Sequence, residues 1–201
     1  MKWQDFEKEI KAKNIKLFTP SDVQQATSRS KTGVVFLLHR LKKQGRIESV
    51  KRGLYKLSDE HISELYLANK IYEPSYVSLE FALSYHRIIP ENVYEITSIT
   101  TKATRRFETL GKVFSYRKVK KGVFTGYTIE KQNDVSFRIA DAEKALVDYS
   151  YFRLLDGNQP LSRFDKTKID FKKALHYAKA FNNQKLTDTI QTILKWFQQN
   201  N

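Results

Sequence analysis

The chain has 201 residues, of which 40% are hydrophobic, 13% aromatic and 29% charged; this composition excludes a disordered tail and allows one generous domain or two small ones. A formal net charge of +14 favours a polyanionic partner, either nucleic acid or an anionic membrane surface. The absence of cysteine excludes a disulfide framework, a thiolate zinc site and a cysteine nucleophile, and it fits a reducing cytosol.

From the start of the chain, Trp3, Phe6 and Ile10 recur at helical spacing and predict a first helix over residues 3–13. Thr19-Pro20-Ser21-Asp22 is a helix start: a hydroxyl N-cap, proline at the first helical position and a carboxylate facing the positive helix end. That helix should be short, ending near Thr27, with Ser28 to Ser30 as a polar turn. From Lys31 to about Gln44, Val34, Leu37, Leu38 and Leu41 share one face. The opposite face presents Thr32, Phe36, His39 and Lys43, flanked by Arg29 and Arg40. Gly45 is a natural helix stop; two short strands, residues 47–50 and 54–57, then flank the turn Lys51-Arg52-Gly53. Short helix, polar turn, basic helix and hairpin with a basic tip together predict a winged helix-turn-helix over residues 1–58.

A helix lying in the DNA major groove needs donors at its N-terminal end and along its outer face. Ser28, Arg29, Ser30, Lys31 and Thr32 supply them here. Arg29 and Arg40 could bridge guanine acceptors, Lys43 suits phosphate, and Lys51 and Arg52 could reach the backbone or the neighbouring minor groove. Phe36 is expected to pack against the first helix or the second domain, the alternative being contact with a thymine methyl; His39 reads as a polar surface residue. The charge distribution agrees with this placement. Residues 1–58 carry 14 Lys and Arg against 5 Asp and Glu, whereas residues 59–201 carry 22 against 17.

After residue 58 the pattern changes. Ser58 or Asp59 should cap a helix reaching about Tyr72, broken by Pro74, and Ser78 to Ile88 reads as another. Strands are predicted over residues 93–101, 112–119, 124–130 and 135–139. Asp141 caps a helix striped by Ala142, Ala145, Leu146 and Tyr149. Two C-terminal helices follow, with core faces Phe171/Leu175/Ala178 and Leu186/Ile190/Ile193/Leu194/Phe197. The expected class is therefore α+β: a winged helix-turn-helix over 1–58, then over 59–201 an α+β domain with a small, mostly antiparallel sheet and C-terminal helices.

Three segments in this order resemble the AbiEi family of abortive-infection antitoxins, the regulatory half of type IV toxin–antitoxin pairs active in phage defence. LLHRLKKQGRIESVKRGLYKL is similar to the family's helix, glycine, basic wing and Gly-aromatic pattern. YVSLEFALSYHRIIPENVYEITSITT resembles its small-residue helix followed by proline and a strand, and IADAEKALVDYSYF the helix after its last strand. The likeness spans about residues 15 to 153. It implies an N-terminal domain that binds inverted repeats in its own promoter as an autorepressor, through Arg29 to Thr32, Arg40, and Lys51 to Arg52. It also implies a C-terminal domain that counters a nucleotidyltransferase-like toxin, without requiring a stable antitoxin–toxin complex.

Nothing in the sequence points to an enzyme, a cofactor or a metal. No Gly-rich phosphate loop occurs, the four histidines are widely spaced, and no serine sits in a nucleophile elbow. Asp141, Glu143 and Asp148 could be acid/base carboxylates, but the plainer expectation is that they cap a helix and line its wet face. No apolar run approaches the roughly 20 residues that cross a bilayer, and the first residues lack an apolar signal core, so a cytoplasmic protein without membrane contact is expected. Lys102, Arg105, Arg106, Lys112, Arg117, Lys118, Lys120 and Lys121 crowd the predicted sheet region and could touch flanking phosphates or RNA. The alternative function is accordingly an RNA- or protein-binding module that inactivates a partner directly, with DNA binding incidental.

Overall fold

The computed structural model describes residues 2–132, 134–161 and 163–199, and side chains up to residue 195, so Phe197 lies outside the described side chains. The chain divides into two compact units, Met1–Ile62 and Ser63–Asn201.

The first unit comprises α1 (Trp3–Ala12), α2 (Pro20–Thr27), α3 (Lys31–Lys43), β1 (Ile47–Lys51) and β2 (Leu54–Leu57). Local chemistry sets each boundary. Thr19 Oγ1 accepts from the Asp22 amide at 3.3 Å while Asp22 Oδ2 accepts from the Thr19 amide at 2.7 Å, so two orphan donors at the start of α2 are satisfied reciprocally. Ser30 Oγ does the same for the Gly33 amide at 3.1 Å, starting α3. Gly45, at φ +68°, ends α3: its amide donates to Lys42 O and the Arg46 amide to Leu41 O, both at 3.0 Å.

The apolar faces of these helices converge on one core. Trp3, Phe6, Ile10, Phe18, Val34, Leu37, Leu38 and Leu41 are all buried there, with the rings of Phe6 and Phe18 edge to face at 5.6 Å. Phe18 also extends the hairpin sheet, exchanging backbone hydrogen bonds with Tyr55 at 2.9 and 3.0 Å. Lys51 belongs to β1 and pairs with Leu54, so the hairpin turn is Arg52-Gly53, one residue shorter than predicted. Gly53 takes the positive φ (+78°) that this turn requires.

The segment after β2 stays with the first unit and is not helical. Lys11 Nζ donates to Asp59 and Lys16 Nζ to Glu60, each at 2.7 Å. Lys56 is buried, with its ammonium donating to the carbonyls of Leu57 and Glu60 at 3.0 Å. The helix predicted from Ser58 or Asp59 therefore begins only at Glu64.

The second unit runs α4 (Glu64–Ile71), β3 (Ser75–Val77), α5 (Leu79–Tyr85), β4 (Ile96–Thr100), β5 (Arg105–Thr109), β6 (Lys112–Lys118), β7 (Tyr127–Gln132), β8 (Val135–Ala140), α6 (Ala142–Leu155), α7 (Phe171–Ala180) and α8 (Gln184–Gln199). Its sheet has six strands in the order β5-β6-β4-β3-β8-β7. Three of its five strand pairs are antiparallel, in line with the expected mostly antiparallel sheet, while β3 with β8 and β4 with β6 are parallel. Both faces are covered. On one, Tyr116 donates to the Ala68 carbonyl of α4 at 2.6 Å; on the other, Tyr76 donates to Asp148 of α6 at 2.9 Å. The chain is thus a mixed α/β protein with a two-stranded antiparallel sheet in one unit and a six-stranded mixed sheet in the other. No helix among the described residues is long and apolar enough to cross a membrane.

Candidate nucleic-acid interface

From Val23 to Ile47 the chain contains no acidic residue, yet it contains Arg29, Lys31, Arg40, Lys42, Lys43 and Arg46. The fold displays this stretch rather than burying it. Ser28, Arg29, Ser30, Lys31, Thr32, Arg40, Lys43 and Arg52 are exposed, and Lys51 is half-buried in β1. Ser28 closes α2 in the left-handed region at φ +54°, which lets three residues turn the chain from α2 into α3.

Arg29 and Arg40, eleven positions apart, border the same groove. With Lys2 and Arg46 they line a groove of about 340 Å³ floored by Leu37 and Leu41. Arg46 is internally neutralised by Glu7, which also accepts from Trp3 Nε1 at 3.0 Å. Among the described residues the side chains of Arg29, Arg40 and Lys43 make no hydrogen bond or ion pair. Concentrating unpaired cations beside a helix costs self-repulsion unless an anion lies between them.

One expectation about α3 is corrected. Phe36 is not packed away: it is 71% exposed, and Val35 beside it is 62% exposed. The core stripe Val34/Leu37/Leu38/Leu41 already fills the inward face, and about 100° of rotation per residue leaves Phe36 opposite it.

In the second unit the basic residues are largely engaged. Arg117 makes two hydrogen bonds to Asp156, at 2.9 and 3.0 Å, and stacks on Phe152 at 4.3 Å. Lys112 pairs with Glu64 at 2.9 Å, Arg106 with Glu95 at 3.5 Å, and Lys102 lies over the Tyr72 ring at 5.5 Å. Arg105, Lys118, Lys120 and Lys121 are exposed and make no ion pair among the described residues.

The three carboxylates around α6 are structural in their contacts. Asp141 caps α6 through the Lys144 amide at 2.8 Å and accepts from Tyr177 Oη at 2.8 Å. Glu143 and Asp148 are buried, not on a wet face. Glu143 receives the Asp170 amide at 3.0 Å and Lys173 at 2.9 Å. Asp148 accepts from Tyr76 and Ser78, each at 2.9 Å, and is ion-paired with Lys144, which is itself 1% exposed. Burial pushes the Asp148 carboxyl above the ordinary range, against the pull of Lys144 and the two hydroxyls. The Tyr76 phenol is pushed well up by burial and by the neighbouring carboxylate. The sequence pattern does not announce this network. Its one local trace is a Lys and an Asp four apart in a helix whose intervening residues, Ala145 to Val147, are all apolar.

Gly126 supports the same region. At φ +75°, a Cβ there would stand 2.9 Å from Lys144 Cγ and 2.9 Å from the Tyr177 ring. Gly126→Ala is expected to destabilise the chain by about 2 kcal/mol or more, through strain and overpacking together; a urea titration reads this as a lowered midpoint.

Among the described residues no group of three or more His, Asp or Glu is placed to hold a metal. No protein-family model and no curated protein matches the chain.

Proposed function

We propose that the chain is a DNA-binding antitoxin and autorepressor of an AbiE-like type IV toxin–antitoxin pair. In this reading the first unit is a winged helix-turn-helix: α3 enters the major groove of inverted repeats in the chain's own promoter, and the Arg52-Gly53 turn is the wing tip. The observation that carries it is the acid-free cationic surface centred on α3, with Arg29 and Arg40 exposed, unpaired and bordering one groove. Counteraction of a nucleotidyltransferase-like toxin is assigned to Ser63–Asn201 on the family resemblance alone, and no enzymatic activity is proposed for either unit. An RNA-binding role for the second unit is the weaker reading, because Arg106, Lys112 and Arg117 already hold carboxylates.

The test is a mobility shift of the full chain on a duplex spanning the DNA upstream of its reading frame. Retardation with protection of inverted repeats is expected, and loss of both in Arg29→Ala/Arg40→Ala. No retardation at low salt, or binding indifferent to the double substitution, removes the proposal.

A further inference from the structure

We infer that Phe36, seconded by Val35, is a specificity-determining residue that reads thymine methyl groups in the major groove. The inference rests on the DNA-binding reading of α3 and names what that helix selects.

Several observations converge on it. Phe36 and Val35 are the two large apolar side chains that α3 leaves exposed, at 71% and 62%. Phe36 stands on the outward strip with Thr32, His39 and Lys43, while Arg40 flanks it and Val35 follows Lys31 by four positions. Thr32, His39, Lys43 and Arg40 are all exposed, and no carboxylate occurs in α3. A surface of exposed donors without an acidic residue complements a phosphate-lined groove and opposes a second copy of itself. Within the major groove the apolar feature available to such a strip is the thymine 5-methyl group, which phenylalanine contacts in direct readout. The neighbouring hydroxyl, imidazole and ammonium groups remain free for base-edge acceptors and phosphates.

Uracil differs from thymine only by that methyl, so the test leaves the pairing hydrogen bonds intact. The upstream duplex is amplified once with thymidine triphosphate and once with deoxyuridine triphosphate, and the full chain is titrated on both. The wild type is expected to bind the uracil duplex more weakly, by about four-fold for each methyl group that the side chain covers, the ratio given by exposing one methyl-sized group. Phe36→Ala, whose fold circular dichroism verifies, is expected to bind the two duplexes alike. Wild-type binding that is equally tight on both overturns the inference while leaving the DNA-binding reading intact. Binding to neither duplex overturns both. If Phe36→Ala shifts the oligomeric state in sedimentation and the two duplexes bind equally, the side chain serves contact between copies and the inference falls.

Discussion

Chemical denaturation of the Lys144→Ala chain is expected to show a loss of about 3–5 kcal/mol, a large share of a domain's stability. Lys144 and Asp148 are both almost fully enclosed, and removing one leaves the other's charge uncompensated in a medium that cannot solvate it. The rings of Tyr76 and Phe181 lie 5.7 and 4.9 Å from the Lys144 ammonium and give it only partial compensation. Asp148→Asn should likewise destabilise, by stranding Lys144. The double variant Lys144→Met/Asp148→Asn removes both charges and keeps an amide oxygen for the Tyr76 and Ser78 hydroxyls. It is therefore expected to be more stable than Asp148→Asn alone; equal stabilities would mean that the pair contributes through packing rather than charge.

The pH dependence of Lys144→Ala follows from the direction of the Asp148 shift. Burial already raises its folded pKa, and loss of the ammonium raises it further. A group whose folded pKa exceeds its unfolded value contributes fully below the unfolded pKa, about 4 for Asp, and its contribution is lost as pH rises through the folded pKa. The deficit relative to wild type should thus be smallest near pH 4 and grow towards neutrality. A deficit independent of pH would contradict an uncompensated carboxylate.

A second large effect concerns salt. If the five cations between Val23 and Ile47 other than Arg46, which Glu7 already holds, engage five phosphates, affinity for the upstream duplex should fall about five-hundred-fold between 50 and 200 mM salt. If Arg29 and Arg40 hold phosphates rather than guanine edges, Arg29→Ala/Arg40→Ala should lower the magnitude of the log–log slope by about two, one for each phosphate contact removed. A shallow slope in the wild type would exclude a phosphate-based mode of binding. An unchanged slope in the variant would move the contact away from the groove these two arginines share.

The first unit is open to reading because its instructions are local. The Thr19/Asp22 box, the Ser30 cap, the Gly45 stop and the glycine of the hairpin turn each act within a few residues, and the Val34/Leu37/Leu38/Leu41 stripe sets the facing of α3. Once that stripe is inward, the exposure of Thr32, His39, Arg40 and Lys43 is determined too. Phe36 departs from expectation for a physical reason: its hydrophobicity argues for burial, but its position in the helical period places it outside, and the backbone geometry prevails.

The second unit is legible only in part. β3 has three residues, too few to show alternation, and β5 (Arg-Arg-Phe-Glu-Thr) is an edge strand whose outer positions are charged. β3 is held by partners distant in the sequence, β4 and, through the parallel pairing of Val77 with Ile139, β8, whereas β5 pairs with its chain neighbour β6 across a two-residue turn. The sequence by itself determined the order of three helices and a hairpin in the first unit, the concentration of positive charge at its third helix and the lack of any cysteine chemistry, because caps, periodicity and composition act at short range. Only the tertiary structure decided the six-strand order and the burial of Lys144 with Asp148, because each depends on segments far apart in the chain excluding water from the same place.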